Sequence, residues 1–554
     1  MADRSLTKRL ALFLLAGLFV WLSAGIIDTV NHPMPQTLEA AVGGATIHFA
    51  ADRTQFVFPG DCSAVRWEVG GIRAVHFYTY PVIGTGEQVV CHGDAPYLRV
   101  RFRDGEERTY TLNRDVLFLR PAVTAAALLA LGAGALAAHF LGLSRLLATR
   151  RGQHFTGLAL AIAGVVILDL FTNSAYIVIG PTFDAARTME IARHGWLGNP
   201  NLLAPWAYRP MTPLLARALS DVLGQPLDTG FALLAYTGAI AQLMLVYALA
   251  RYFGANFRAA MAAMLVVGLS FYNLRFLLYD IYRPDLLGFA LFAAVLLALW
   301  RGRIAVALLL ACFGLLTREF MAIPAALLIL KLLVEGIQER SWRKLAWSVM
   351  AVIAIGSTIV LPRALIPVAD SAQRFDPLNR PDALAYELLQ PWRNTPRNYE
   401  FLAVAASYLL PVFILATPGR LARAWRELAP HRWLLAAYAV LTFLLTLYGG
   451  GDVERFFAYM FVMQVIALAV WLRDAGWLEI GLMLVVVAAV NRLFWMPDVD
   501  PATRVLWIGS MVEPAITAQR LQEVGLYIAV ALGLRVIQLS KANRQKPVLL
   551  KADP

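Results

Sequence analysis

Long apolar runs recur along most of the chain, and short polar or basic stretches separate them. A run of about 18 or more apolar residues is long enough to cross a bilayer as a helix. The pattern predicts about fourteen spans, one over residues 10–27 and the others near 122–141, 156–179, 229–250, 258–274, 286–300, 303–317, 320–334, 346–362, 401–417, 433–448, 456–472, 477–493 and 522–538. The predicted fold class is an all-α polytopic membrane protein with one small all-β domain outside the membrane.

A different pattern occupies residues 35–120. Short segments such as AVRWEV and YLRVRF alternate apolar and polar positions, and Gly, Pro and Asp separate them. This period of two predicts a small β-sandwich. The segments FPGDCSAVRWEV and CHGDAPYLRVRF resemble an Ig-like domain, with Trp67 between Cys62 and Cys91. A disulfide between these cysteines requires an oxidising compartment, and the alternative is two free buried thiols in a cytoplasmic domain.

Basic residues recur in alternate loops. Residues 1–9 are short and basic before the first apolar run, which fits an uncleaved anchor better than a signal peptide because the cleavage site near Ser23 is poor. From a cytoplasmic N-terminus, every predicted inside loop is basic, as the positive-inside rule expects. We therefore expect a multi-pass protein of the bacterial inner membrane, with both termini cytoplasmic and the β domain periplasmic. Its predicted regions are an anchor (1–30), the Ig-like β domain (35–120), a multi-span domain (121–540) and a basic tail (541–554).

Composition supports the membrane interpretation and excludes several functions. The chain is 59% hydrophobic and 16% charged, whereas a soluble domain has roughly 45–50% apolar and about 25% charged residues. The net charge of +12 is a topology signal rather than evidence for a nucleic-acid partner, because Lys and Arg collect in alternate loops. There is no P-loop, HExxH or CxxC motif, so nucleotide hydrolysis, zinc chemistry and redox chemistry lack support.

Acidic residues and arginines collect in the predicted outer loops. We interpret residues 183–213, FDAARTMEIARHGWLGNPNLLAPWAYRPMTP, as the first such loop in the multi-span body, followed by an interfacial helix over residues 212–223. Charges at membrane depth are costly and usually face a cavity or one another. The alternative for each single charge is a helix cap or a local ion pair. The outer-loop candidates for a site are Asp184, Glu190, His194, Tyr208, Arg209, Asp280, Arg283, Asp285, Arg318, Glu319, Asp452, Glu454 and Arg455.

These loops resemble those of GT-C glycosyltransferases over roughly residues 155–500. The resemblance lies in FDAARTMEIA, YRPMTPLL and the short charged segments YRPD, TRE and GGDVER. The chain departs from the commonest form of the family in having Ala185, rather than a second acid, after Asp184. The resemblance implies transfer of a sugar from a polyprenyl-phosphate donor, at the outer face of the membrane, to a glycan, lipid or protein acceptor.

The chemistry of such a transfer suggests a role for each type of side chain. Asp184 is the candidate base for the acceptor hydroxyl. Asp280 and Asp285 are candidates for a second acid, or for oxygen ligands of a divalent cation, Mg²⁺ or Mn²⁺. Guanidinium groups suit the departing phosphate, and the candidates are Arg209, Arg283, Arg318 and Arg455. The predicted substrate contacts also include Glu190, His194, Tyr208, Glu319, Asp452 and Glu454, although a lone interfacial histidine is also compatible with a structural role.

Three other functions remain open from the sequence. A transporter or flippase would also line a cavity with Asp and Arg, but it needs polar residues near mid-bilayer, whereas here they collect at the outer ends of the spans. An O-antigen-type polymerase or ligase would place arginines in outer loops as well. A receptor or scaffold would use the β domain to bind a partner, yet an anchor does not need charges in successive outer loops.

Overall fold

The structure of the chain is a computed structural model that is mostly helical, with a small β region. It describes residues 23–29, 31, 34–57, 61–77, 80–90, 95–117, 149–170, 183–270, 273–274, 278, 281–366, 405, 408–409, 415–448, 456–490, 498–500 and 505–507. These residues belong to two compact units. The first holds the described residues up to Leu170 together with two short later segments, and the second holds most residues from Phe183 to Val490.

The first unit contains the predicted β domain. Its strands are β1 (Gln36–Val42), β2 (Ala45–Ala51), β3 (Gln55–Phe56), β4 (Ser63–Gly70), β5 (Ala74–Phe77), β6 (Tyr80–Val82), β7 (Thr85–Val90), β8 (Tyr97–Arg101), β9 (Glu107–Thr111) and β10 (Asp115–Val116). Two antiparallel four-stranded sheets have the orders β1-β2-β4-β7 and β6-β5-β8-β9. Helix α1 (Arg150–Leu170) and the strands β11 (Asp498–Asp500) and β12 (Val505–Trp507) also belong to this unit.

The core of the β domain explains the alternating pattern in its sequence. Alternate residues of β2 and β4 are buried, and Phe49, Val65 and Leu98 are inaccessible to solvent. Trp67 stacks on Phe77 with ring centroids 4.8 Å apart. Both sheets contribute to one apolar cluster, and the prediction of a small β region is confirmed.

The strand order differs from the immunoglobulin order that the sequence resembles. In that order the third strand lies in the sheet opposite the first two, whereas here β4, the next long strand after β1 and β2, pairs with β2. The carboxylate of Asp52, just after β2, accepts hydrogen bonds from the Ser63 hydroxyl (2.6 Å) and the Ala64 amide (3.0 Å). These bonds hold the start of β4 beside the end of β2. Cys91 lies outside the described residues, so its pairing with Cys62 stays a prediction.

The second unit is a helical bundle. Its helices are α2 (Phe183–His194), α3 (Met211–Leu223), α4 (Leu227–Tyr252), α5 (Phe257–Leu269), α6 (Asp285–Trp300), α7 (Ile304–Leu315), α8 (Ala322–Gln338), α9 (Trp342–Leu365), α10 (Pro418–Glu427), α11 (Arg432–Tyr448), α12 (Phe461–Trp471) and α13 (Trp477–Val490). Side-chain hydrogen bonds and glycine residues define several of the helix ends. The Asn256 side chain, for example, accepts a hydrogen bond from the Ala259 amide at the start of α5, and Gly224 ends α3 in the left-handed conformation.

Most predicted spans within the described residues coincide with a helix, but fewer meet the length of a membrane span. In the part of the chain that the structure describes, four helical segments are long and apolar enough to cross a bilayer: Leu227–Tyr252, Glu319–Gln338, Trp342–Leu365 and Ala429–Leu447. Four more are apolar but shorter: Phe257–Leu269, Asp285–Trp300, Ile304–Leu315 and Ala458–Trp471. The predicted spans at 10–27, 122–141, 401–417 and 522–538 lie mainly or wholly outside the described residues. The count of fourteen therefore stays a prediction.

Helix α6 separates two groups of loops in the second unit. Asp285, at its start, pairs with Arg318. At its end, the Trp300 ring packs on that of Phe253 with centroids 5.0 Å apart. The Phe253 ring also packs on the His431 ring, with centroids 5.4 Å apart. Two of the predicted outer loops thus meet at the start of α6, and residues at three of the predicted inner loops meet near its end.

Candidate functional site

The predicted first outer loop is partly helical. Residues 183–194 form helix α2 rather than an extended loop, because Ala185, Met189 and Ala192 are spaced to bury one face. The remainder folds over a small apolar cluster that contains Ile191 and Tyr208. In addition, the Trp196 indole donates a hydrogen bond to the Ala207 carbonyl at 2.7 Å. This segment therefore has a core of its own, which holds the residues before α3 in place.

Arg209 connects this segment to the turn between α7 and α8. Its Nε lies 2.5 Å from Oε1 of Glu319, the first residue of the 3₁₀ turn Glu319–Met321. The Met211 amide donates to the Leu316 carbonyl at 3.1 Å, which brings the two backbones together beside this pair. The Arg209 side chain is 14% exposed and that of Glu319 is 33% exposed. Two predicted outer loops are thus joined by an ion pair at the edge of solvent.

A second ion pair lies deeper and joins a third loop to the same turn. Arg318 Nε lies 3.3 Å from Asp285 Oδ1, and the two side chains are 2% and 0% exposed. Asp285 is the first residue of α6, where the helix dipole favours a negative charge. The Arg318 guanidinium also lies 4.9 Å from the centre of the Phe320 ring. Since an isolated buried charge is costly, each member of this pair depends on the other.

A narrow cleft opens beside Arg209. It is lined by Thr188, Ile191, Trp206, Arg209, Thr212, Pro213 and Pro284, which come from α2, the loop after it, α3 and the start of α6. Within the part of the chain that the structure describes, the two Nη groups of Arg209 make no hydrogen bond. The buried Thr212 hydroxyl likewise has no hydrogen-bond partner among the described residues. The cleft is therefore lined by an arginine whose Nη groups make no hydrogen bond with a described residue and by a residue whose hydroxyl is buried.

Sequence reasoning did not include Arg363, Thr212 or Tyr459 among the site residues. The Arg363 guanidinium lies 4.5 Å from the centre of the Tyr208 ring, which is cation–π geometry. Arg363 follows Pro362 at the end of a long apolar run. This position at the end of a predicted span could have marked Arg363 as a candidate site residue. The Tyr459 hydroxyl and the Arg318 side chain both lie near Gly288, since a Cβ there would be 3.5 Å from each. No sequence pattern indicated that proximity.

Glu190 and His194, in the C-terminal half of α2, form a local cluster. Glu190 Oε1 accepts hydrogen bonds from Asn199 at 3.3 Å and from Asn201 at 3.4 Å. His194 Nε2 lies 3.9 Å from the same carboxylate and its side chain is 63% exposed. No hydrogen bond or ion pair between described residues joins this cluster to Arg209. The structure thus does not bring these two predicted contacts to the cleft.

The structure describes only some of the remaining predicted site residues. The structure describes the backbone of Asp184 in α2 but not its side chain, and Arg283 lies in the turn just before Pro284, which lines the cleft. Asp280, Asp452, Glu454 and Arg455 lie outside the described residues. Among the described residues, no group of three or more His, Cys, Asp or Glu side chains could hold a metal ion. A divalent cation that uses Asp280 therefore stays a prediction.

Comparison of the chain with protein-family models, with curated proteins and with solved structures gives no match. Functional inference therefore depends on the chemistry of the residues themselves.

Proposed function

We propose that the protein is an integral membrane glycosyltransferase that transfers a sugar from a polyprenyl-phosphate donor to an acceptor hydroxyl at the outer face of the membrane. The observation that carries the proposal is the cleft beside Arg209. There Arg209, whose two Nη groups make no hydrogen bond with a described residue, and Thr212, whose buried hydroxyl has no partner among those residues, line the same narrow space. Such a donor set suits an anionic oxygen group such as a phosphate.

Arg209 is the proposed ligand of the donor phosphate. Its Nε is engaged by Glu319, so the rigid guanidinium fork keeps its two Nη groups for a bidentate contact with phosphate oxygens. The Thr212 hydroxyl would donate a further hydrogen bond. Together these donors would stabilise the negative charge that collects on the phosphate as the sugar departs.

The buried pair of Arg318 and Asp285 is proposed to position this site rather than to contact the substrate. Arg318 immediately precedes Glu319, and Asp285 immediately follows the cleft residue Pro284. The pair therefore ties together the two turns on which the phosphate contact depends. Because Asp285 is fully buried, we now assign it a positioning role in place of the catalytic role that its sequence context suggested.

Asp184 is the proposed general base. Thr188 and Ile191 of α2 line the cleft, and a helix brings positions i, i+4 and i+7 to one face. Helical spacing thus predicts Asp184 on the cleft side of α2. Its carboxylate would take the proton of the acceptor hydroxyl while that oxygen bonds to the anomeric carbon of the sugar. The bond from this carbon to the phosphate oxygen breaks, and polyprenyl phosphate leaves.

The proposed setting is the bacterial inner membrane. The four long apolar helices and the basic alternate loops support a multi-pass chain with the cleft outside. A disulfide between Cys62 and Cys91 in the β domain belongs to the same proposal, since the periplasm is oxidising. The acceptor would be a glycan, a lipid or a protein with a free hydroxyl.

A transporter or flippase is the second candidate, and one observation favours it. Gln242 in α4 and Asn273 are fully buried, and neither side-chain polar atom of either residue has a hydrogen-bond partner among the described residues. Gln464 in α12 is also buried and donates to the Tyr408 carbonyl at 3.0 Å. Polar side chains within apolar helices are a feature that transport requires. These three are neutral, however, whereas the proposed site holds its charges at one end of the bundle.

The two candidates predict different products. The full chain would be reconstituted in vesicles with a set of labelled polyprenyl-phosphate sugars and an extract that contains acceptors. A transferase releases unlabelled polyprenyl phosphate and moves the label to a new product, and the Asp184→Asn variant does not. If intact donor only changes leaflet, or if correctly inserted wild-type chain releases no polyprenyl phosphate from any donor, the transferase proposal is wrong.

A further inference from the structure

Helix α10 is amphipathic with its faces reversed relative to a helix of a soluble protein. Its polar side faces the rest of the second unit through three ion pairs. Arg420 makes a bidentate contact with Glu479 at 2.5 and 3.0 Å, Arg423 pairs with Asp474, and Glu427 pairs with Arg473 at 2.6 Å. None of the residues of α10 is buried.

The apolar side of α10 is left facing outward. Leu421 is 48% exposed and Trp425 is 66% exposed, and the spacing of four residues places them on one face. In a soluble protein such a face would turn toward the core. Here the charged face forms the contacts with the bundle, so the apolar face requires another apolar surrounding.

The start of the helical segment that follows α10 identifies that surrounding. A helical segment that is long and apolar enough to span a membrane, Ala429–Leu447, begins two residues after α10 ends. The Arg432 guanidinium, at the start of α11, lies 3.9 Å from the centre of the Trp425 ring. Trp433 and Val440 on this segment are also exposed. The apolar face of α10 is therefore continuous with the entry of a candidate span.

We propose that α10 lies in the plane of the membrane interface and places Leu421 and Trp425 at the boundary between phospholipid head groups and acyl chains. Tryptophan prefers this depth because its ring is apolar and its N–H is polar. Arg426 is exposed and makes no ion pair with a described residue, so it is available to a lipid phosphate. The three ion pairs then link the bundle to a fixed depth in the bilayer.

The proposal is independent of the sugar-transfer chemistry, but it depends on the proposed membrane location. Three variants of the full chain, each with one added cysteine, test it: Leu421→Cys in α10, Val440→Cys in the candidate span, and Arg301→Cys in the turn between α6 and α7. Each is made in a Cys312→Ala background, labelled with an environment-sensitive fluorophore and reconstituted in phosphatidylglycerol and phosphatidylcholine vesicles. The Cys312→Ala chain without an added cysteine, carried through the same labelling, gives the signal from Cys62 and Cys91.

Lipids brominated near the ester end or near the terminal methyl then report the depth of each probe. We expect the probe at position 421 to lose emission most with shallow bromines, the probe at 440 to lose emission with either lipid, and the probe at 301 to keep its emission. If position 440 is quenched and position 421 is not, α10 contacts water, a protein or a second copy, and the inference is wrong. If position 440 is not quenched either, the proposed membrane location itself fails.

Discussion

The guanidinium Nε of Arg209 lies 2.5 Å from Oε1 of Glu319, although 110 positions separate the two residues in sequence. The first follows the 3₁₀ turn Trp206–Tyr208, and the second begins the turn after α7. A partly exposed ion pair adds little stability by itself. Its main consequence is geometric, because it fixes the plane of a guanidinium group whose other donors line the cleft.

Arg209→Lys tests the bidentate phosphate contact. Lysine keeps the positive charge but loses the planar fork, so we expect donor affinity to fall about tenfold, the loss that corresponds to one hydrogen bond to a charged group. Retention of a labelled polyprenyl-phosphate sugar by purified chain measures it. Arg217→Lys is the matched control, since Arg217 lies on the exposed side of α3 and pairs with Asp221 at 3.6 Å. Equal retention by both variants would contradict the assignment of Arg209.

The Asp285 and Arg318 pair should behave as a unit in stability measurements. Asp285→Ala leaves a buried guanidinium without its counter-charge, which costs about 3–5 kcal/mol. The double variant Asp285→Ala with Arg318→Met removes both charges, and we expect it to recover much of that loss. Thermal unfolding in detergent compares four purified proteins: the wild type, the two single variants Asp285→Ala and Arg318→Met, and the double variant. A double variant that loses the sum of the two single losses would show that the two residues act independently.

Gly230 should be required for the packing of α3 against α4. A Cβ at Gly230 would lie 2.1 Å from the Ala216 carbonyl oxygen, whereas one at Gly356 in α9 would meet nothing within 4 Å. We therefore expect Gly230→Ala to destabilise the chain by about 1–3 kcal/mol through overpacking. The control Gly356→Ala should be neutral, or stabilising by up to about 1 kcal/mol. Equal melting temperatures for the two variants would contradict this packing.

Hydrophobic periodicity predicts the elements of this chain well because it reports which face of a segment is buried. A predicted span at 229–250 corresponds to Leu227–Tyr252, and one at 346–362 corresponds to Trp342–Leu365. Alternation likewise predicts the two-sheet domain. The helical start of the first outer loop was missed because its apolar face, with Met189 and Ala192, is masked by intervening charged residues.

The contacts of the candidate site depend on tertiary structure and could not be read from spacing. Charged outer loops indicated which residues to consider, but only the fold pairs Arg209 with Glu319 and Asp285 with Arg318. It also turns Glu190 toward Asn199 and Asn201 instead of the cleft. The strand order of the β domain could not be predicted for a similar reason, since the bonds accepted by Asp52 act across a loop and leave no periodic signal.

Replacement of Asp184 tests the central claim most directly. The measurement is release of polyprenyl phosphate from a labelled polyprenyl-phosphate sugar by reconstituted Asp184→Asn, with donor retention measured on the same sample. Since a general base contributes about 10²–10⁴-fold to rate, we predict a loss of turnover of that order with donor retention unchanged. Glu190→Gln, on the same helix but away from the cleft, should turn over at the wild-type rate. Normal turnover by a correctly inserted Asp184→Asn chain would contradict the account.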